Sequence, residues 1–250
     1  MQFKLTPKVG PRYWTAISIA SICGTNLGDS LPDILKLEAG PGLLLLAVVF
    51  AVLVIFDRFT KRGSEAFYWL AILTVRAAAT NIADYSISKA NLAYTLVAAV
   101  LAVLLVVLVV IQLRSTPRSS PGDLPPTGSF YWLSMLTAGT LGTVIGDGLG
   151  HSFSSVSIGV PVSAGIATAV LAALLGVRSR SVMNSIVSYW VVVVAVRWWG
   201  TNVGDILAFV TSLSISLIVS GFVLLLTLVL WRKQETQRGS GEGPMGNWKA

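Results

Sequence analysis

Apolar residues come in eight long stretches arranged in pairs, and the first stretch of each pair carries a polar interruption of one pattern. It reads Gly24-Thr25-Asn26-Leu27-Gly28-Asp29, then Ala79-Thr80-Asn81-Ile82-Ala83-Asp84, Gly142-Thr143-Val144-Ile145-Gly146-Asp147 and Gly200-Thr201-Asn202-Val203-Gly204-Asp205. A Tyr-Trp pair lies upstream at one distance: Trp14, Trp69, Trp132 and Trp190 each precede the motif Thr by eleven residues and the Asp by fifteen. The chain is a fourfold internal repeat. Its apolar runs are continuous rather than alternating and exceed the roughly 11 residues of a membrane β-strand, so they predict helices.

Two membrane-length segments per repeat predict an all-α membrane protein of eight transmembrane helices. An even number per repeat makes the four copies parallel, related about an axis along the membrane normal. A basic lead at 1–12 precedes repeat 1 at 13–57; repeat 2 occupies 67–113, repeat 3 130–177 and repeat 4 188–231. The Pro-, Ser- and Gly-rich stretch 114–129 reads as a link between halves, and the polar, Gly-rich tail 232–250 reads as disordered. Pro32 predicts that the first helix has stopped before it. The aliphatic run 42–56 is short for a span of about 20 residues, which predicts a helix start before Gly42 or a local mismatch.

Composition agrees with a bilayer: 54% of residues are hydrophobic and 12% charged, against about 25% charged in soluble domains, and mean hydropathy is +0.76. The net charge of +7 does not mark a nucleic-acid binder, because no aromatic-interleaved basic face accompanies it. Of the 18 Lys and Arg, Lys36 and Lys89 lie in turns inside repeats and Arg76 and Arg197 inside predicted spans. The other fourteen fall in the lead, the links between repeats and the tail. That asymmetry predicts a multi-pass protein of the inner (plasma) membrane with both termini cytoplasmic. The lone Cys23 cannot form an intramolecular disulfide, and Ile22 before it is too large for a lipoprotein cleavage site, so packing is its expected role.

The interruption is where chemistry is expected. Thr and Asp four apart share a helix face, joined one turn earlier by Ser21, Arg76, Gly139 and Arg197. The Asp lies roughly 22 Å beyond the Trp. With the Trp residues as anchors at the cytoplasmic interface, the carboxylates fall in the outer part of a hydrocarbon layer about 30 Å thick. The pairs Gly24/Gly28, Ala79/Ala83, Gly142/Gly146 and Gly200/Gly204 have the small-xxx-small spacing of closely packed membrane helices, about 100° round from Thr and Asp.

A charge at mid-bilayer costs at least about 2.5 to 3.5 kcal/mol, so four Asp and two Arg need compensation. In one reading Arg76 and Arg197 pair with two Asp, and Thr and Asn hydrogen bonds stitch the bundle. Such pairing leaves two negative charges over, and that surplus favours a second reading with a cation or protons bound. Asp29, Asp84, Asp147 and Asp205 are then ion or metal ligands or proton carriers, with Thr25, Thr80, Thr143, Thr201, Asn26, Asn81 and Asn202 as auxiliary oxygens and Arg76 and Arg197 tuning charge. Oxygen donors suit Mg, Mn or Na better than Cu(I) or Zn. His151, four after Asp147, is a candidate mouth ligand, although a lone loop His is ordinarily solvated. Arg in repeats 2 and 4 only reduces pseudo-fourfold symmetry to pseudo-twofold.

The expected function is a transporter or exporter of a small cation (divalent metal or Na/H), in the lipid bilayer, with no cofactor beyond a possible bound metal cation. A passive ion channel and a non-transporting scaffold or sensor remain alternatives. No nucleophile elbow, phosphate loop, paired-His motif or dinucleotide fingerprint occurs, so no enzyme is expected.

In the segment Glu65-Ala66-Phe67-Tyr68-Trp69-Leu70-Ala71-Ile72-Leu73, its counterparts and the four Thr/Asp motifs, the chain resembles a bacterial integral membrane family of four tandem repeats of unknown function. That family carries two transmembrane segments and a characteristic Trp per repeat. The resemblance runs from Tyr13 to Trp231 and implies the eight-span fold but no established activity. Repeat 2 has Ala79 and Ala83 for the two Gly, and repeat 3 has Val144 for Asn, so four identical ligand sets are not expected.

Overall fold

The eight apolar stretches form eight helices: α1 (Pro11–Asp33), α2 (Ala39–Phe59), α3 (Glu65–Asp84), α4 (Tyr94–Ser115), α5 (Ser129–Gly150), α6 (Val156–Ser179), α7 (Ile186–Val210) and α8 (Leu213–Gly241). The computed structural model describes residues 3–60, 64–115, 124–179 and 185–241. Six of the helices, all but α1 and α5, are long and apolar enough to cross a membrane. The other two carry the same motif but are diluted by Gly, Ser and Thr, and they lie inside the bundle, where lipid-like hydropathy is not required.

The four motif-bearing helices form the inner layer, in which α1 packs on α3, α3 on α5, α5 on α7 and α7 back on α1. The aliphatic helices lie outside them. Each covers chiefly the inner helix of the next repeat: α2 packs on α3, α4 on α5, α6 on α7, and α8 returns to α1. In repeat 1 the two helices barely touch, whereas in repeat 3 α6 also packs on its own α5. The outer faces of α2, α4 and α8 expose rows of Leu, Val and Ile, such as Leu44, Val48, Val103, Val106, Ile218 and Leu225.

Several local expectations change. Pro32 does not end α1, which runs on to Asp33. Proline denies a hydrogen bond to the carbonyl four residues back, here that of Gly28, and Asn81 of α3 donates its Nδ2–H to that oxygen at 3.0 Å. The break in the helix ladder is filled from the neighbouring helix. The α2 helix does start before Gly42, at Ala39. The tail read as disordered from Arg232 is helical through Gly241, continued by the helix-forming residues Lys233, Gln234, Glu235 and Gln237. The middle of the Pro-rich link (116–123), residues 242–250, and the link residues Lys61, Arg62, Arg118 and Arg180 lie outside the described residues.

The basic lead is a built strap. Phe3 packs edge-on to Trp132 with ring centroids 5.5 Å apart, and the Lys4 backbone N–H donates to buried Asp57 Oδ2 at 2.9 Å. Lys4 Nζ donates to the carbonyls of Arg58 and Thr60 at the end of α2, where a cation complements the helix dipole.

Small residues set the inner-layer spacing, and the departures from glycine fit the partner across each seam. A Cβ at Gly24 would sit 2.5 Å from Arg76 Cγ, one at Gly142 2.5 Å from Arg197 Cβ, and one at Gly200 would collide with Ser21. At the fourth seam α3 carries Ala79, and the residue facing it is Gly139, whose added Cβ would lie 2.8 Å from that of Ala79. One methyl is thus accommodated at this seam, on the opposite helix from the other three. Gly139→Ala is expected to destabilise the detergent-solubilised protein by roughly 1 to 3 kcal/mol through overpacking, and adding Ala79→Gly should restore much of it. Thermal unfolding of the two single variants and the double variant checks this; additive losses would refute the seam.

Candidate functional site: a polar column between the inner helices

Polar side chains of α1, α3, α5 and α7 stack in layers along the space the four helices enclose. The first layer is a closed ring of phenols. Tyr13 Oη lies 2.6 Å from Tyr189 Oη, Tyr189 2.9 Å from Tyr131, Tyr131 2.6 Å from Tyr68, and Tyr68 3.2 Å from Tyr13. All four rings are fully buried, and four hydroxyls in a cycle satisfy one another, each donating once and accepting once. Each Trp packs edge-on against its own Tyr, at 5.0 to 5.3 Å.

The Trp residues are accordingly not exposed interface anchors. All four are buried, wedged between the phenol ring and the outer layer. Trp190 Nε1 donates to Gln112 of α4 at 3.3 Å, and Gln112 Nε2 donates to Ser134 Oγ at 2.6 Å. A Trp that backs a buried Tyr is shielded by the rest of the bundle.

Three turns further along, the four motif threonines converge on one guanidinium. Arg76 donates from Nη2 to Thr25 at 2.6 Å and Thr201 at 2.7 Å, and from Nη1 to Thr143 at 2.7 Å and Thr80 at 3.1 Å. Its Nε donates to Ser21 Oγ at 3.3 Å. Every threonine also turns its hydroxyl proton to the carbonyl four residues back, at 2.9 to 3.4 Å. This leaves its lone pairs for the arginine. Five N–H donors meeting hydroxyls from all four inner helices is the fork geometry of arginine used in full.

Arg197 occupies the equivalent position on α7 but behaves differently. Its Nη2 donates to Met135 Sδ at 3.1 Å, one turn nearer the phenols, and its Nε and Nη1 are buried without partners. The two arginines thus leave their common level in opposite directions, Arg76 toward the threonines and Arg197 toward the tyrosines. The pseudo-twofold equivalence expected of them ends at their side chains, since one threonine ring cannot hold two cations.

Asp29, Asp84, Asp147 and Asp205 form the last layer. All four are half-buried, and among the described residues none accepts a side-chain hydrogen bond or ion-pairs with Arg76 or Arg197. The Arg–Asp pairs of the first of the two readings are therefore absent there. Arg76 and the four carboxylates act on one another only through the field, as do the carboxylates among themselves. Among the described residues, no three His, Cys, Asp or Glu come close enough to hold a metal ion, so the geometry does not gather the four aspartates, with or without His151, into a metal centre. His151 is exposed, with Nδ1 2.8 Å from the Asp147 carbonyl and its ring stacked on Tyr94.

The motif asparagines are not in the column. Asn26 Nδ2 donates to Ser216 of α8 at 2.6 Å and Asn202 Nδ2 to Ser163 of α6 at 2.7 Å, while Asn81 bonds the Gly28 and Ala77 carbonyls. One residue past Thr, they are turned about 100° off its face and join inner helices to their neighbours. Cys23 is buried and free, as expected of a packing residue.

Residues 12–63 and 67–117, spanning α1–α2 and α3–α4, each match a family described as Repeat of Unknown Function (DUF347). The first half of the chain is thus similar to two consecutive copies of that repeat. No curated protein and no solved structure matches the chain.

Replacing Thr25 with Val removes a hydroxyl bonded at 2.6 Å and leaves an arginine N–H unpaired in the interior, expected to cost about 1 to 3 kcal/mol. Thr25→Ser keeps the hydroxyl and is expected to cost less than half as much. Chemical denaturation or thermal unfolding of the two variants in one detergent measures the difference.

Proposed function

We propose that the chain is an eight-span membrane protein, both termini cytoplasmic, that transports a small cation along this column, alone or in exchange for protons. The observation that carries this reading is the order of the layers: four carboxylates without direct partners stand in front of four threonine hydroxyls that already surround a cationic group. The aspartates draw a cation into an acidic mouth, and Arg76 is a tethered cation holding the next position. Two unit charges about 4 Å apart repel by about 4 kcal/mol at an effective dielectric of 20, on the order of a thousandfold in occupancy. An entering ion and Arg76 are thus alternatives in the threonine ring, and the column as described is a closed state. Exchange of a mobile charge for a tethered one is the step a secondary transporter needs and a simple pore lacks.

A second reading has support in the same residues. The Arg76 network is completely satisfied, as internal glue of a non-transporting scaffold or sensor would be. Flux into proteoliposomes separates the two. With Asp→Asn at Asp29, Asp84, Asp147 and Asp205, a transporter is expected to lose at least tenfold in saturable Na, Mg or Mn uptake or in coupled proton movement while remaining folded. Arg76→Gln is expected to raise passive leak. Uptake unchanged by the four Asp→Asn replacements would overturn the transport reading, and wild-type protein with no ion flux would leave the scaffold.

A further inference from the structure

Among the described residues of the column, Arg197 is a buried cation whose donors are left over. It is fully buried, its Nε and Nη1 have no partner, and its one hydrogen bond goes to a thioether, a weak acceptor for a charged donor. Its chief electrostatic neighbours are the four phenols of Tyr13, Tyr68, Tyr131 and Tyr189, whose hydroxyl protons are committed to their own cycle. The aspartates lie on the far side of Arg76, which draws on their field and adds a second positive charge near Arg197. The column is therefore bipolar: acidic beyond the threonine ring, and basic with free donors between that ring and the tyrosines.

A buried cation with unpaired donors and no countercharge is held by a ligand that supplies both. We infer that Arg197 is an anion site: a small monovalent inorganic anion, of the halide class, binds the guanidinium between the phenol ring and the Arg76–threonine layer, on the edge that the unpartnered Nε–H shares with Nη2–H. A monovalent ion neutralises the single uncompensated guanidinium without overcharging the layer, and a spherical one needs no acceptor geometry beyond two converging N–H groups. The guanidinium is shielded and its Nη2 engaged in the state described, so the anion is admitted as the flexible Arg197 side chain leaves Met135 and frees that edge. The inference does not depend on whether a cation crosses the outer half of the column.

The test is equilibrium binding of radiolabelled chloride to the full-length protein in detergent, paired with thermal unfolding in chloride against gluconate at matched ionic strength. Saturable binding approaching one ion per chain is expected, with a rise in Tm that follows its occupancy. Arg197→Gln should abolish both. Arg197→Lys keeps the charge but loses the fork, and should weaken binding at least tenfold while size-exclusion behaviour stays that of the wild type. Absence of saturable chloride binding to the wild-type protein overturns the proposal even if the variants fail to fold. So does binding that survives Arg197→Gln, or that Arg76→Gln removes while Arg197→Gln spares it.

Discussion

Solvating one buried guanidinium organises this protein. Arg76 is 1% exposed and has no carboxylate in ion-pairing range, so hydroxyls must take the place of water around it. Five of them do, from four helices, and that requirement fixes helix number, rotation and depth together. A threonine on each inner helix must face the axis at one level, which places the small residues one position earlier against the neighbouring helix and the asparagines one position later toward its flank. The small pairs allow the close approach, and the approach brings four hydroxyls within reach of one side chain. The phenol ring repeats this logic three turns away, without a charge. Two hydrogen-bonded layers, one a cycle of phenols and one radiating from Arg76, each draw on all four inner helices and hold the inner bundle in register where apolar packing alone would permit sliding.

Much of this was legible in the spacing of a few residue types. The eight helices, the four-copy repeat, the shared Thr/Asp face and the small face beside it follow from positions that recur every 55 to 63 residues. What the spacing could not supply was which side chains would meet. Opposite charges in an apolar chain invite pairing, yet Arg76 reaches hydroxyls one turn closer than the aspartates, and its length fits that reach. The tyrosines recur in all four copies beside the tryptophans, but a phenol hydroxyl has no assigned partner until the ring closes around all four helices. The Pro32–Gly28–Asn81 connection was likewise beyond a one-dimensional reading. A proline's cost depends on whether another helix can use the carbonyl it frees.

The two arginines show how near-identical repeats acquire direction. Their backbone positions are equivalent, and both stems lie against a glycine, Gly24 or Gly142. Only one can enter the threonine ring. The other has Met135 within reach, whereas the corresponding residue for Arg76 is Ile17 on α1, which offers no acceptor. Arg76 has Ser21 for its Nε where Gly139 offers Arg197 no hydroxyl, and Arg197 has Met135 instead, so the column has one basic end and one acidic end although all four inner helices carry the motif.

The hand-over of outer helices has a consequence for how the ring is joined. The seam at which α4 covers α5 and the seam at which α8 covers α1 are of one kind, but the first is bridged by the chain and the second is not. The helix contacts across α8 and α1 form without a covalent link, and they are as extensive as those across α4 and α5. The circle is closed by surfaces rather than by connectivity.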